Sequence, residues 1–131
     1  MAGLVIAAPS SHSGKTVVTL GLLRHLAREG REPRPAKAGP DYIDPQFLAA
    51  AANHPCVNLD LFALGEGRVR AEGARLAAAG LGVVEGVMGL FDGANGEDGS
   101  TADLAQVLGW PVVVVADAAA QGASAAALVG G

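Results

Sequence analysis

The apolar run "LVIAA" (4–8) passes into "PSSHSGKT" (9–16), and a helix-like stretch begins at the lysine. A buried strand, a turn of small residues and a Gly-Lys-Thr opening a helix restrict the fold more than any other feature of the chain. Backbone N–H groups converge at such a helix start, and the helix dipole adds positive potential there. Pro9 stands where a phosphate loop usually has its first glycine, but Ser10, Ser11 and Ser13 are small enough to let the backbone wrap a phosphate. The segment therefore predicts a nucleotide site of Ser10, Ser11, His12, Ser13, Gly14, Lys15, Thr16 and Val17. Lys15 would reach the outer phosphates and the Thr16 hydroxyl would sit on Mg²⁺. His12 has two readings, a nucleotide contact or a loop side chain turned to solvent.

Beyond the loop, strand and helix patterns alternate. Lys15 to about Glu29 is expected to be helical, with Val18, Leu22 and Leu26 repeating on one face and Gly30 as the stop. "PRPAKA" (33–38) is a short extended piece whose prolines place it at a sheet margin. "DPQFLAAAANH" starts a helix with Asp44 as cap and Pro45 in the first turn. "GRVRAEGARLAAAG" is a further helix and "LGVVEG" a short buried strand. "STADLAQVLG" is a helix with Ser100 and Asp103 at capping-box spacing. "PVVVVAD" is the clearest strand, and "AAAQGASAAALVGG" begins another helix. The alternation predicts an α/β fold of P-loop NTPase type, a mostly parallel sheet with helices on both faces.

Composition excludes other classes. With 131 residues, half of them apolar, and 19 glycines, the chain suits one α/β domain with many tight turns. The net charge of −4 gives no bulk attraction to nucleic acid or anionic membrane. Six of the nine Lys and Arg fall between Lys15 and Lys37, which reads as a solvated helix face plus two site lysines rather than a polyanion surface. Nothing resembles a signal peptide or a membrane span. A single cysteine, Cys56, outside any nucleophile motif, reads as a small packed thiol and fits a reducing, cytoplasmic setting. Trp110 reads as a packing residue at a strand entry. His25 and His54 lack metal-ligand spacing to any other His or Cys.

The rest of the site should come from other strand ends, where open α/β sheets place their ligands. Asp41, Glu85 and Asp92 are carboxylates at such ends, and Mg²⁺ needs one or two of them beside substrate phosphates. Glu85, closing "VVEG", occupies the place of a metal-facing acid. The loop 89–99, with Asp92, Glu97 and Asp98 among glycines, reads as an active-site loop and lacks the ligand spacing of a calcium loop.

The motifs "APSSHSGKT", "KAGPDYIDP", "VEGVMGLFDG" and "STADLA", in this order, resemble the cobyrinic and hydrogenobyrinic acid a,c-diamide synthases. The likeness runs over essentially the whole chain and implies their dethiobiotin-synthetase-like ATP-binding domain. It implies a carbon–nitrogen ligase of cobalamin biosynthesis that amidates the a- and c-acetate carboxylates of a corrin acid. ATP and Mg²⁺ would convert each carboxylate to an acyl phosphate. Ammonia, released from glutamine by a C-terminal amidotransferase domain, would then displace phosphate. By motif match, Lys15, Thr16 and Glu85 would handle phosphates and metal. Asp41, Tyr42 and Asp92 would lie around the substrate carboxylate, metal and phosphoryl group, Asp41 among the metal ligands, and Lys37 would neutralise the transferring phosphate. His12 and Ile43 depart from the residues usual at their positions.

The expected partners are a corrin acid and glutamine-derived ammonia, with no nucleic acid and no membrane; a homodimer is left open. Two alternatives share the loop: a dethiobiotin synthetase-like carboxylase, and a partition or positioning ATPase. The latter usually carries an extra lysine early in the loop, where this chain has Ala8, Pro9 and Ser10. The chain reads as a piece truncated at its C-terminus, lacking the amidotransferase domain. It is expected to be inactive in amidation alone and prone to self-association through an uncovered sheet edge.

Overall fold

A computed structural model describes residues 3–8, 14–39, 44–86 and 100–115. Their elements run in the order β1 (Gly3–Ala7), α1 (Lys15–Arg28), β2 (Pro33–Ala38), α2 (Asp44–Ala52), β3 (Val57–Leu59), α3 (Leu61–Leu64), α4 (Glu66–Ala79), β4 (Leu81–Glu85), α5 (Thr101–Leu108) and β5 (Val112–Val114). The strands form one sheet in the order β3-β2-β4-β1-β5, and every pairing is parallel. This is the α/β architecture the alternating pattern predicts.

Alternation along the strands feeds two cores. Val5 and Val84 enter one with Ala36, Ala38, Leu59, Val69 and Leu76, and with Leu104 of α5. Their neighbours Ile6 and Val83 enter the other, with Leu23 of α1 and Leu48 and Ala52 of α2. A strand buried on both faces needs an unbroken apolar run, which "LVIA" and "GVV" supply. Each fully buried Val, Leu or Ile contributes about 1.5–3 kcal/mol over its exposed state. These cores are what hold the strand ends in register.

The buried stripe of α1 is displaced by one residue from the expected one. Thr19 and Leu23 are fully buried, Leu22 and Leu26 flank them, and Val18 is 44% exposed. Burying Thr19 is possible because its hydroxyl donates to the Lys15 carbonyl at 2.8 Å. The helix begins after Gly14, whose φ of 81° lies in the left-handed region that glycine adopts without strain. Gly30, with φ 73°, follows its end as expected.

β2 lies inside the sheet, between β3 and β4, and not at its margin. In a parallel ladder, alternate residues address opposite neighbours. Leu81 donates to the Glu32 carbonyl and Gly39 donates to that of Leu59, so the odd-numbered residues of β2 face β3. β3 pairs only with residues from Ala36 onward. The missing N–H groups of Pro33 and Pro35 thus point where no strand yet runs, and an interior strand tolerates both prolines.

β3 and α3 are additional to the predicted elements. Among the described strands β5 stands at an edge of the sheet, beside β1, with Val112 37% and Val113 46% exposed. α5 has its capping box: Ser100 Oγ accepts from Asp103 N at 3.1 Å, and Asp103 Oδ2 accepts from Ser100 N at 3.2 Å. Trp110 packs beside the strands against Gly3 and Gly82; a Cβ on Gly3 would sit 2.7 Å from its ring. The helix predicted after "PVVVVAD" lies outside the described residues. No described helix is long and apolar enough to cross a membrane.

Candidate functional site

Lys37 and Glu85 are register partners on adjacent strands. Both belong to the strand face that carries Val83 and Ile6, the face covered by α1 and α2. At the ends of β2 and β4 they meet with Lys37 Nζ 2.7 Å from Glu85 Oε1, the lysine side chain 4% and the glutamate 0% exposed. Lys37 Nζ also donates to the Gly86 carbonyl at 3.2 Å and lies 3.3 Å from Asp44 Oδ2. Glu85 is therefore a buried ion-pair acid and not an exposed strand-end carboxylate.

The start of α1 closes on this pair. Thr16 Oγ1 donates to Glu85 Oε1 at 3.1 Å, so one carboxylate oxygen receives both the hydroxyl and the ammonium. Glu85 Oε2 is buried and has no hydrogen-bond partner among the described residues. Burial lowers the pKa of Lys15, and the positive charge of Lys37 lowers it further, against the pull of Glu85 and Asp44. The two lysines thus share one electrostatic neighbourhood with the two carboxylates. α1 has no acid in its first turn, and among the described residues its N-cap, Gly14, makes no side-chain cap hydrogen bond. Positive potential from that helix end is left for an anion.

Of the residues expected in the site, Gly14, Lys15, Thr16, Lys37 and Glu85 come together. Val17 follows in the first turn, but its side chain is 75% exposed, so its contribution would be its backbone N–H. Ser10, Ser11, His12, Ser13, Asp41, Tyr42 and Asp92 lie outside the described residues. Asp44 was expected only as a helix cap. It is the first residue of α2, and its carboxylate faces Lys37. Only its place in "KAGPDYIDP", seven residues after Lys37, connected the two in the sequence.

A divalent cation fits this donor set. The unpartnered Glu85 Oε2 and the Thr16 hydroxyl are oxygen donors side by side, and Mg²⁺ is ordinarily held by one or two protein oxygens plus phosphates and water. The described residues contain no group of three or more His, Cys, Asp or Glu able to form an all-protein metal cage. Cys56 is half-buried beside the α1–α2 core, and burial pushes its thiol up to about 12, the Glu85 charge adding to the shift. A thiol so protonated is no nucleophile at neutral pH.

No protein-family model matches the chain. Several curated proteins do. It is 54% identical over 133 residues to the hydrogenobyrinate a,c-diamide synthase of Brucella suis biovar 1, covering all of this chain and 30% of that protein. The protein of the same name from Rhizobium meliloti is 53% identical, with all of this chain and 31% of the relative covered. That of Rhodobacter capsulatus is 50% identical, with 95% of this chain and 30% of the relative covered. The chain thus spans about 30% of the length of the curated relatives it matches. Over the part of them that it spans, this chain is homologous to the hydrogenobyrinate a,c-diamide synthases.

Proposed function

We propose that the chain carries the phosphate-binding part of a hydrogenobyrinate a,c-diamide synthase, an ATP- and Mg²⁺-dependent ligase that amidates corrin carboxylates with ammonia from glutamine. The observation that carries this reading is the buried Lys37–Glu85 pair beside Thr16 and Lys15, at the strand ends that follow a Gly-Lys-Thr helix start. The name of the relatives supports the corrin substrate.

The chemistry suits the residues. A carboxylate resists ammonia because its leaving group would be oxide. Transfer of the γ-phosphoryl group to the carboxylate oxygen releases ADP and gives an acyl phosphate. Ammonia then attacks the acyl carbon and phosphate departs, leaving the amide. The bound metal would supply charge neutralisation on the phosphate oxygens, held by Thr16 and Glu85. Lys15 would bind the outer phosphates, where an anion relieves the repulsion it feels from Lys37. Lys37, held by Glu85, Asp44 and the Gly86 carbonyl, would present a fixed ammonium to the charge that builds on the transferring group.

The test compares substrates in the full-length protein. ATP turnover and glutamine-dependent product formation should be triggered by hydrogenobyrinic acid and not by diaminopelargonic acid. Turnover triggered by diaminopelargonic acid alone would instead identify a dethiobiotin synthetase-like carboxylase.

A further inference from the structure

The sheet face that carries Lys37 and Glu85 holds a third polar strand residue. Asn58, at the centre of β3, is the register partner of Lys37, as Glu85 is on the other side, so their side chains form one row across β3, β2 and β4. Its neighbours Val57 and Leu59 belong to the opposite face, in the core shared with Val69 and Leu76 of α4. Asn58 itself is half-buried. An apolar side chain would suit a strand centre that only packs, because an amide taken from water costs free energy unless it is hydrogen-bonded.

The Asn58 amide replaces a missing ladder bond. In a parallel pair, a residue that faces its neighbour both donates and accepts there. Gly39 donates to the Leu59 carbonyl at 3.1 Å, and a continued ladder would bring the Leu61 N–H to the Gly39 carbonyl. β3 stops at Leu59, however, and Leu61 opens α3. Asn58 Nδ2 donates to the Gly39 carbonyl instead, at 2.9 Å. Gly39 has φ 79°, in the left-handed region, where the chain turns out of β2. Asp44 then opens α2 with its carboxylate 3.3 Å from Lys37 Nζ. The segment 39–44 is thus tied at both ends to neighbours in one row, Gly39 to Asn58 and Asp44 to Lys37.

We infer that Asn58 is a positioning residue for the reaction: by holding the Gly39 carbonyl it fixes the exit from β2, and through it the Lys37 ammonium and the Asp44 carboxylate against each other. The inference rests on the function proposed above, in which Lys37 faces the transferring group. Nucleotide binding draws on other elements, with Gly14, Lys15 and Thr16 at the start of α1 and Glu85 at the end of β4. Loss of the Asn58 amide therefore slows phosphoryl transfer and leaves the nucleotide as tightly bound.

The test is made in the full-length protein with Asn58→Leu, which keeps the shape of the side chain and removes the donor. ADP release triggered by hydrogenobyrinic acid and ammonia gives kcat, and calorimetry gives the affinity for Mg²⁺-ATP. In the variant kcat should fall about tenfold or more, since small misplacements of reacting groups are that costly, while Mg²⁺-ATP affinity stays unchanged. Asn58→Asp, isosteric but unable to donate when ionised, should behave alike and serves if the leucine variant does not fold. Unaltered kcat, a loss of Mg²⁺-ATP affinity in step with kcat, or failure of both variants to fold would each overturn the inference. An active parent with unaltered variants contradicts only the role of Asn58. A parent that hydrogenobyrinic acid does not trigger contradicts the proposed function, and this inference with it.

Discussion

Lys37 and Glu85 are opposite each other on neighbouring parallel strands, 2.7 Å apart at their charged ends, and both are almost wholly buried. Such a pair is poor support for stability, because desolvating two charges offsets most of their attraction. Its position gives it meaning. It lies where the sheet presents its strand ends to α1, and a third donor, Thr16, is directed at the same carboxylate oxygen.

Removing one partner leaves the other charge buried and uncompensated. Lys37→Met should therefore cost about 3–5 kcal/mol. The double variant Lys37→Met/Glu85→Gln should recover much of that loss, since neither buried charge then remains. Chemical denaturation of the two single variants and the double variant measures the coupling. Strictly additive losses would show that the pair is not energetically linked.

The capping box of α5 gives a smaller and more local expectation. Ser100 is 2% exposed, and its hydroxyl satisfies the Asp103 N–H. Ser100→Ala should destabilise the chain by about 1 kcal/mol, within the range for lost helix caps. An unchanged denaturation midpoint would mean that the N–H finds another acceptor without cost.

Most of the scaffold was legible in the chain because it rests on local patterns. "LVIA", "GVV", the Gly-Lys-Thr helix start and the Ser100–Asp103 spacing each specify their element within a few residues. β3 escaped because "VNL" is only three residues with a polar centre, too short for a periodic signal. The interior place of β2 escaped because a proline signals a missing donor but not the direction in which it is missing. Lys37 and Glu85 could be singled out one by one, yet their contact follows from strand register over a separation of 48 residues.

Trp110 shows how tertiary contact sets a requirement for glycine. Its ring covers Gly3 and Gly82, and a Cβ on Gly82 would lie 2.8 Å from ring carbon Cζ3. Gly82→Ala should destabilise by about 1–3 kcal/mol, the range for overpacking a tight site. Adding Trp110→Ala should make the alanine at 82 far less costly. Equal cost of the alanine with and without the indole would contradict that contact.

The Cys56 thiol gives a pH dependence with a defined sign. In the unfolded chain it titrates near 9.0, and in the folded chain near about 12, chiefly through burial. Between these values the folded state keeps a proton that the unfolded state has lost. The contribution is present in full below pH 9.0 and is lost as pH rises toward about 12. Cys56→Ala should show a shallower fall in stability across that window. Iodoacetamide should label the native thiol slowly at pH 8 and the denatured one quickly. Fast labelling of the native chain would show an accessible, ionisable thiol instead.

The most direct test of the account is titration calorimetry of Mg²⁺-ATP into the chain and into its Lys15→Ala variant. The parent should bind saturably. Loss of a charge-assisted phosphate contact of about 1.5–3 kcal/mol should weaken the variant about ten- to hundredfold, with its thermal unfolding little changed. Equal affinity in the two proteins would contradict the assignment of this helix start, and of the Thr16–Glu85–Lys37 cluster beside it, as the nucleotide site.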